Sequence, residues 1–151
     1  MDQQDTIKTV NRLIENCKDG EFGFQSCAEH VSSAHLRGVF GSRAGECRQA
    51  ASELQAIVVR LGGSAQDSGT AGGAMHRGWV ALKATLTGYS DQAMLEECER
   101  GEDIALDRYR SALAEELPAD VRVVVERQYE GAKRNHLQIR TLRDEARAAH
   151  T

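Results

Sequence analysis

Glu15-Asn16-Cys17-Lys18-Asp19-Gly20-Glu21 and Glu96-Glu97-Cys98-Glu99-Arg100-Gly101-Glu102 both read E-x-C-x-x-G-E, with four of seven positions shared. Each segment lies inside a longer run of apolar residues at steps of three and four. The first run is Ile7, Val10, Ile14, Cys17, Glu21, Phe24, Ala28 and Val31; the other is Leu95, Cys98, Glu102, Ala105, Tyr109 and Ala112. That spacing keeps one side of an α-helix apolar, and it predicts helices over about residues 4–31 and 91–116. Each helix carries one glutamate among apolar neighbours, and the glycine beside it removes bulk at a cost of about 1 kcal/mol of helix propensity.

Outward from these segments, Ser32-Ser33 supplies a turn and an N-cap. Leu36, Phe40, Arg43, Cys47, Ala50, Leu54, Ile57 and Leu61 then continue the pattern, predicting a second helix over about 34–61 that Gly62-Gly63 stops. Pro118, tolerated in the first turn of a helix, opens a fourth over about 118–147, with Val121, Val125, Gln128, Ala132, Asn135, Ile139, Leu142 and Ala146 on its inner side. The short turns make each pair of helices an antiparallel hairpin. Residues 62–90 form a long crossover: a Gly, Ser and Asp-rich loop from Gly62 to Gly73, then Met75, Trp79, Leu82 and Leu86 on a short helix at about 74–87. A connection of that length permits an up-down-down-up order. The two hairpins are either copies about a pseudo-twofold axis or amphipathic helices alike by chance. The expected fold class is all-α, one domain over 1–151: a four-helix bundle whose two similar hairpins, long crossover and single glutamates on helices one and three resemble the ferritin-like fold.

Composition narrows the partners. With 19 Lys and Arg against 23 Asp and Glu, the net charge is −4, which leaves no positive excess for a nucleic-acid backbone. Lys133, Arg134, Arg140, Arg143 and Arg147 instead complement the negative C-terminal end of the fourth helix. No apolar run is long enough for a membrane span, and the polar start Met1-Asp2-Gln3-Gln4-Asp5 lacks the layout of a secretion signal. A cytoplasmic location is expected. Cys17, Cys27, Cys47 and Cys98 form no C-x-x-C pair and read as reduced, small core residues.

Leu13-Ile14-Glu15-x-Cys17-Lys18-Asp19-Gly20, His76-Arg77-Gly78-Trp79, Leu95-Glu96-Glu97-Cys98-Glu99-Arg100-Gly101-Glu102-Asp103 and Leu117-Pro118-Ala119-Asp120-Val121-Arg122 together resemble an uncharacterised bacterial family of ferritin-like four-helix-bundle proteins. The resemblance runs from about residue 7 to 144. It implies the fold and, because the family carries a domain-of-unknown-function label, no activity.

Di-iron proteins of this fold class take one glutamate from each of two helices and Glu-x-x-His from each of the other two. Glu21 and Glu102 match the first pair. No histidine has a glutamate three residues before it, and Ala50 and Ala132 stand where ligands are needed, so no di-iron centre of the usual kind is expected. A degenerate site remains as an alternative: Glu21, Glu102, His136 and one further carboxylate from Glu46, Glu53 or Glu130 holding a single divalent ion. The competing account is structural. Glu21 and Arg43 are nearly level across the first hairpin and predict an ion pair; Gln128, Asn135 or His136 are placed to donate to Glu102. The expectation is a noncatalytic structural or interaction module without cofactor, forming homo-oligomers. A metal-binding protein using Glu21 and Glu102 is the alternative.

Overall fold

The computed structural model describes residues 1–68 and 90–149. The expected short helix at about 74–87, with Trp79, lies outside the described residues, as does the later part of the Gly62 to Gly73 loop. Among the described residues there are four helices and no strand: α1 Gln3–His30, α2 Ala34–Arg60, α3 Asp91–Leu113 and α4 Ala119–Ala149.

Local chemistry sets their ends. Asp2, Ser33 and Ser90 cap α1, α2 and α3, their side-chain oxygens accepting from the backbone N–H of Asp5, Leu36 and Ala93. Each such cap is worth about 1 kcal/mol. At the end of α2, Gly62 takes φ +84°, and the N–H groups of Gly62 and Gly63 donate to the carbonyls of Val59 and Val58. This is the left-handed glycine stop that the Gly62-Gly63 pair announces. The third helix ends at Leu113, a few residues short of the expected Glu116. Pro118 precedes α4 instead of lying in its first turn; its carbonyl accepts the first helical bond, from Arg122 N at 2.8 Å. Proline suits that place because it has no N–H to leave unpaired.

The order of the helices follows from which residues meet. On α1 and α3, Cys27 lies against Cys98 and Cys17 against Tyr109; on α2 and α4, Glu46 lies against Asn135 and Arg60 against Asp120. Residue numbers rise on one helix as they fall on the other, so both pairs are antiparallel. With two antiparallel hairpins, the order is up-down-down-up. Asp91 fastens one hairpin to the other, its two oxygens accepting from Ser32 N at 2.9 Å and Ser33 N at 3.0 Å. The hairpin partners pack closely and α1 packs on α3, whereas the backbones of α2 and α4 stand further apart.

The core is divided in two. One apolar cluster holds Val10, Leu13, Leu54, Val58, Val121 and Val125; the other holds Phe24, Val31, Phe40, Met94, Leu95 and Ile139. Between them the inward positions are small, among them Gly20, Ala50, Gly101, Ala105, Gly131 and Ala132. Glycine and alanine at that level leave the middle of the bundle unfilled.

Candidate functional site

The unfilled middle is a cavity of about 400 Å³ bounded by all four helices. Its α1 and α3 walls are mostly buried, while Glu46 and Gln49 on α2 and Arg127 and Arg134 on α4 are exposed at its rim, so it opens between α2 and α4.

Four polar side chains cross one end. Tyr109 O–H donates to Gln128 Oε1 at 2.9 Å, and Gln128 Nε2 donates to the Ala50 carbonyl and to Glu53 Oε1, both at 3.2 Å. Arg127 completes the chain with an ion pair to Glu53 at 2.5 Å. That bond holds the Glu53 carboxyl below its usual range. Cys17 Sγ is 3.5 Å from the Tyr109 oxygen, and burial pushes this thiol up to about 11.

At the other end sit Arg43 and Glu102. Arg43 is 6% exposed; its Nη1 donates to both Glu46 oxygens at 3.0 and 3.1 Å, and its Nη2 donates to Gln138 on α4. Its Nε has no partner. Glu102 is 9% exposed, and its Oε1 is likewise without a hydrogen bond. Burial raises the Glu102 carboxyl to about 8, the Arg43 charge working against that rise. A carboxyl group taken out of water without a donor keeps its proton.

This arrangement corrects the pairing expected of the seam glutamates. Glu21 does not meet Arg43: it pairs with Arg48 at 3.0 Å and Lys18 at 3.6 Å, with its side chain 20% exposed. The inward position it was expected to occupy is taken by Gly20, where a Cβ would stand 2.9 Å from Cys47 Sγ. Packing on Gly20 turns Glu21 to the flank of the hairpin, where long basic side chains reach it from solvent. Arg43 extends across to α4 instead. Nor do Gln128, Asn135 or His136 serve Glu102. Gln128 is engaged with Tyr109 and Glu53, Asn135 donates to Glu46 at 2.5 Å, and His136 Nε2 lies 2.6 Å from Asp103 Oδ1. The two copies of E-x-C-x-x-G-E therefore differ in the folded chain, with Glu102 inside and Glu21 at the edge. Glu130 pairs with Lys133 on its own helix.

The thiols of Cys27 and Cys98 meet, 3.6 Å apart between α1 and α3. The basic residues of α4 are partly neutralised: Arg143 pairs with Glu99 and Asp144, and Arg147 with Glu96. Tyr109 and Gln128 were legible as inward positions, but their bridge to Glu53 and Arg127 carries no sequence signal, since it depends on how α2 and α4 are spaced.

The donors do not suit the dimetal centre of ferritin-like proteins. On α2 and α4 the cavity is faced by Ala50, Ala132 and Asn135, and its carboxylates Glu46 and Glu53 are already neutralised by Arg43 and Arg127. Glu21 and Glu102 are not brought together with His136. Among the described residues, the three potential donors that converge are Glu99, Asp103 and His136, within 4.8 Å of one another and outside the cavity lining. Arg143 already bridges both Glu99 oxygens.

Comparison with known proteins agrees with this architecture. The family described as "Domain of unknown function (DUF2383)" matches residues 5–115, and the chain belongs to that family. In fold it is similar to the bacterioferritin-related protein from Bacteroides fragilis, described as a dodecameric thioferritin, with a TM-score of 0.78 at 16% identity over 99% of this chain and 91% of that one. Among curated protein sequences nothing matches it. Among the described residues no helix is long and apolar enough to cross a membrane.

Proposed function

We propose that this member of the DUF2383 family is a noncatalytic, homo-oligomeric binding module of ferritin-like fold, with a ligand cavity at the level where such bundles place a dimetal centre. The observation that carries the reading is the pair of buried, unpartnered atoms, Arg43 Nε and Glu102 Oε1, on two side chains that line a cavity with glycines and alanines in its walls. Buried polar atoms in native proteins are nearly always bonded, so two such atoms at one cavity mark a place for a polar group from outside the chain. The size is at the lower end of small-molecule sites. Self-association is supported by the dodecameric assembly named for the structural neighbour, whose fold spans almost the whole of this chain. A cytoplasmic location and independence from nucleic acid belong to the same reading, on the sequence grounds of charge and hydropathy.

Binding of a single divalent ion is the second reading, favoured by the convergence of Glu99, Asp103 and His136. Against it, each of these groups already has a partner within the fold: Arg143 for Glu99, and Asp103 and His136 for one another. Protein prepared without an affinity tag, loaded with ferrous iron and exposed to oxygen, separates the readings. The expected result is no oxo-bridged absorption and no stoichiometric metal by elemental analysis. Two irons per chain with ferroxidase turnover would overturn the proposal.

A further inference from the structure

We infer that the central cavity takes a small monocarboxylate, with its apolar body among the glycines and alanines of the four helices and its carboxylate between Arg43 and Glu102. The inference rests on the reading of the cavity as a binding site and adds the chemistry of its occupant.

The head group follows from what is left to satisfy. Arg43 has engaged both terminal nitrogens with Glu46 and Gln138, and Nε is its one nitrogen without a partner. It requires an acceptor. Glu102 is predominantly protonated near neutral pH, because burial has raised its carboxyl to about 8; in that form it also offers a proton. Both side chains line the one cavity, and turned into it their two donors suit a group with two acceptor oxygens. The charges agree: Arg43, Arg127 and Arg134 line the cavity with Glu46 and Glu53, so the lining carries a positive excess while Glu102 is neutral. An ammonium would meet Arg43 at close range and find no such match. An alcohol has a single oxygen and no charge of its own, so it forms neither a two-oxygen contact nor an ion pair with Arg43.

The body follows from the walls. Gly20, Ala50, Gly101, Ala105, Gly131 and Ala132 present little but backbone and methyl groups. On the scale by which a dry cavity of about 150 Å³ accepts benzene, the present volume of about 400 Å³ accommodates up to roughly sixteen non-hydrogen atoms. That corresponds to a medium-chain or single-ring acid.

Isothermal titration calorimetry of the full chain with octanoate, octan-1-ol and octylamine tests the assignment. The expected result is octanoate binding once per chain, about tenfold or more tighter than either of the others. Arg43→Met should abolish that preference, whereas Glu102→Gln, which keeps an N–H donor in place, should retain it. Equal affinity for the three probes, or a preference undiminished in Arg43→Met, overturns the carboxylate assignment and leaves the cavity as a binding site. Failure of all three to bind overturns both. The comparison of head groups on the unaltered chain does not depend on any variant folding.

Discussion

Arg43 on α2 and Glu102 on α3 line one cavity, and each carries a buried polar atom that nothing in the chain satisfies: Nε of the arginine and Oε1 of the glutamate. They are oppositely charged types in the same space, yet no hydrogen bond joins them. Arg43 is drawn instead to Glu46 and Gln138. Glu102 is left to burial, which raises its pKa to about 8 against the opposing pull of that same arginine. The middle layer of the bundle, between two apolar clusters, is thus less well satisfied than either end.

This makes stability depend on pH in a defined direction. The folded chain holds a proton on Glu102 up to about pH 8, whereas the unfolded chain releases it near the ordinary value of 4.5. The stabilisation is complete below about 4.5 and is lost as pH rises towards about 8. Urea unfolding between these limits should show stability falling with pH. Glu102→Gln should flatten that slope and raise stability at pH 8 by on the order of a few kcal/mol.

Glu21 should behave as a surface residue. Its partners Arg48 and Lys18 retain access to water, so Glu21→Ala is expected to cost less than about 1 kcal/mol. The pairing with Arg43 expected from the sequence would have given on the order of 3 kcal/mol, by stranding a buried charge. Chemical denaturation distinguishes the two magnitudes.

Gly20 and Cys47 should be coupled. A methyl group on Gly20 would stand 2.9 Å from Cys47 Sγ, so Gly20→Ala is expected to destabilise by about 1–3 kcal/mol through overpacking. Cys47→Ala removes the sulfur. In a double-mutant cycle it should recover most of the loss.

The four thiols should resist modification while the chain is folded. Cys17, Cys27 and Cys98 are buried; burial raises the thiols of Cys17 and Cys47, and the contact with Cys27 together with burial raises that of Cys98, away from the reactive thiolate form. Titration with a thiol-reactive chromophore should be slow in buffer and reach four groups per chain in denaturant, the number the sequence contains.

Much of the fold was legible because helical periodicity and stop signals are local. The Ser33 cap and the Gly62 turn fall where composition places them, and the antiparallel hairpins follow from short connections. The site was less legible, since a step of three and a step of four are both helical. After Cys17 the inward position is Gly20, not Glu21, and only contact with Cys47 decides between them. Likewise Arg43 and Glu21 are level along the first hairpin, but level residues pair only if their side chains turn towards each other. Gln138 on α4, which takes an Arg43 nitrogen, is far away in sequence. Ala50 and Ala132 line the cavity, on the inward seams where the periodicity places them. Their lack of side-chain bulk leaves that cavity, which becomes evident only when four helices are assembled around it.

The central claim is that the middle of the bundle is a binding cavity, and filling it tests this most directly. Ala132→Leu adds bulk to the α4 wall and leaves the Arg43 and Glu102 side chains themselves unaltered. NMR titration of carboxyl-labelled octanoate into the unaltered chain and this variant, with circular dichroism to verify that both are helical, provides the measurement. The account predicts one bound octanoate per unaltered chain and a loss of binding in Ala132→Leu, whose thermal stability should be unchanged or raised by about 1 kcal/mol. Octanoate bound equally well by a folded Ala132→Leu chain would place the ligand elsewhere and contradict the account.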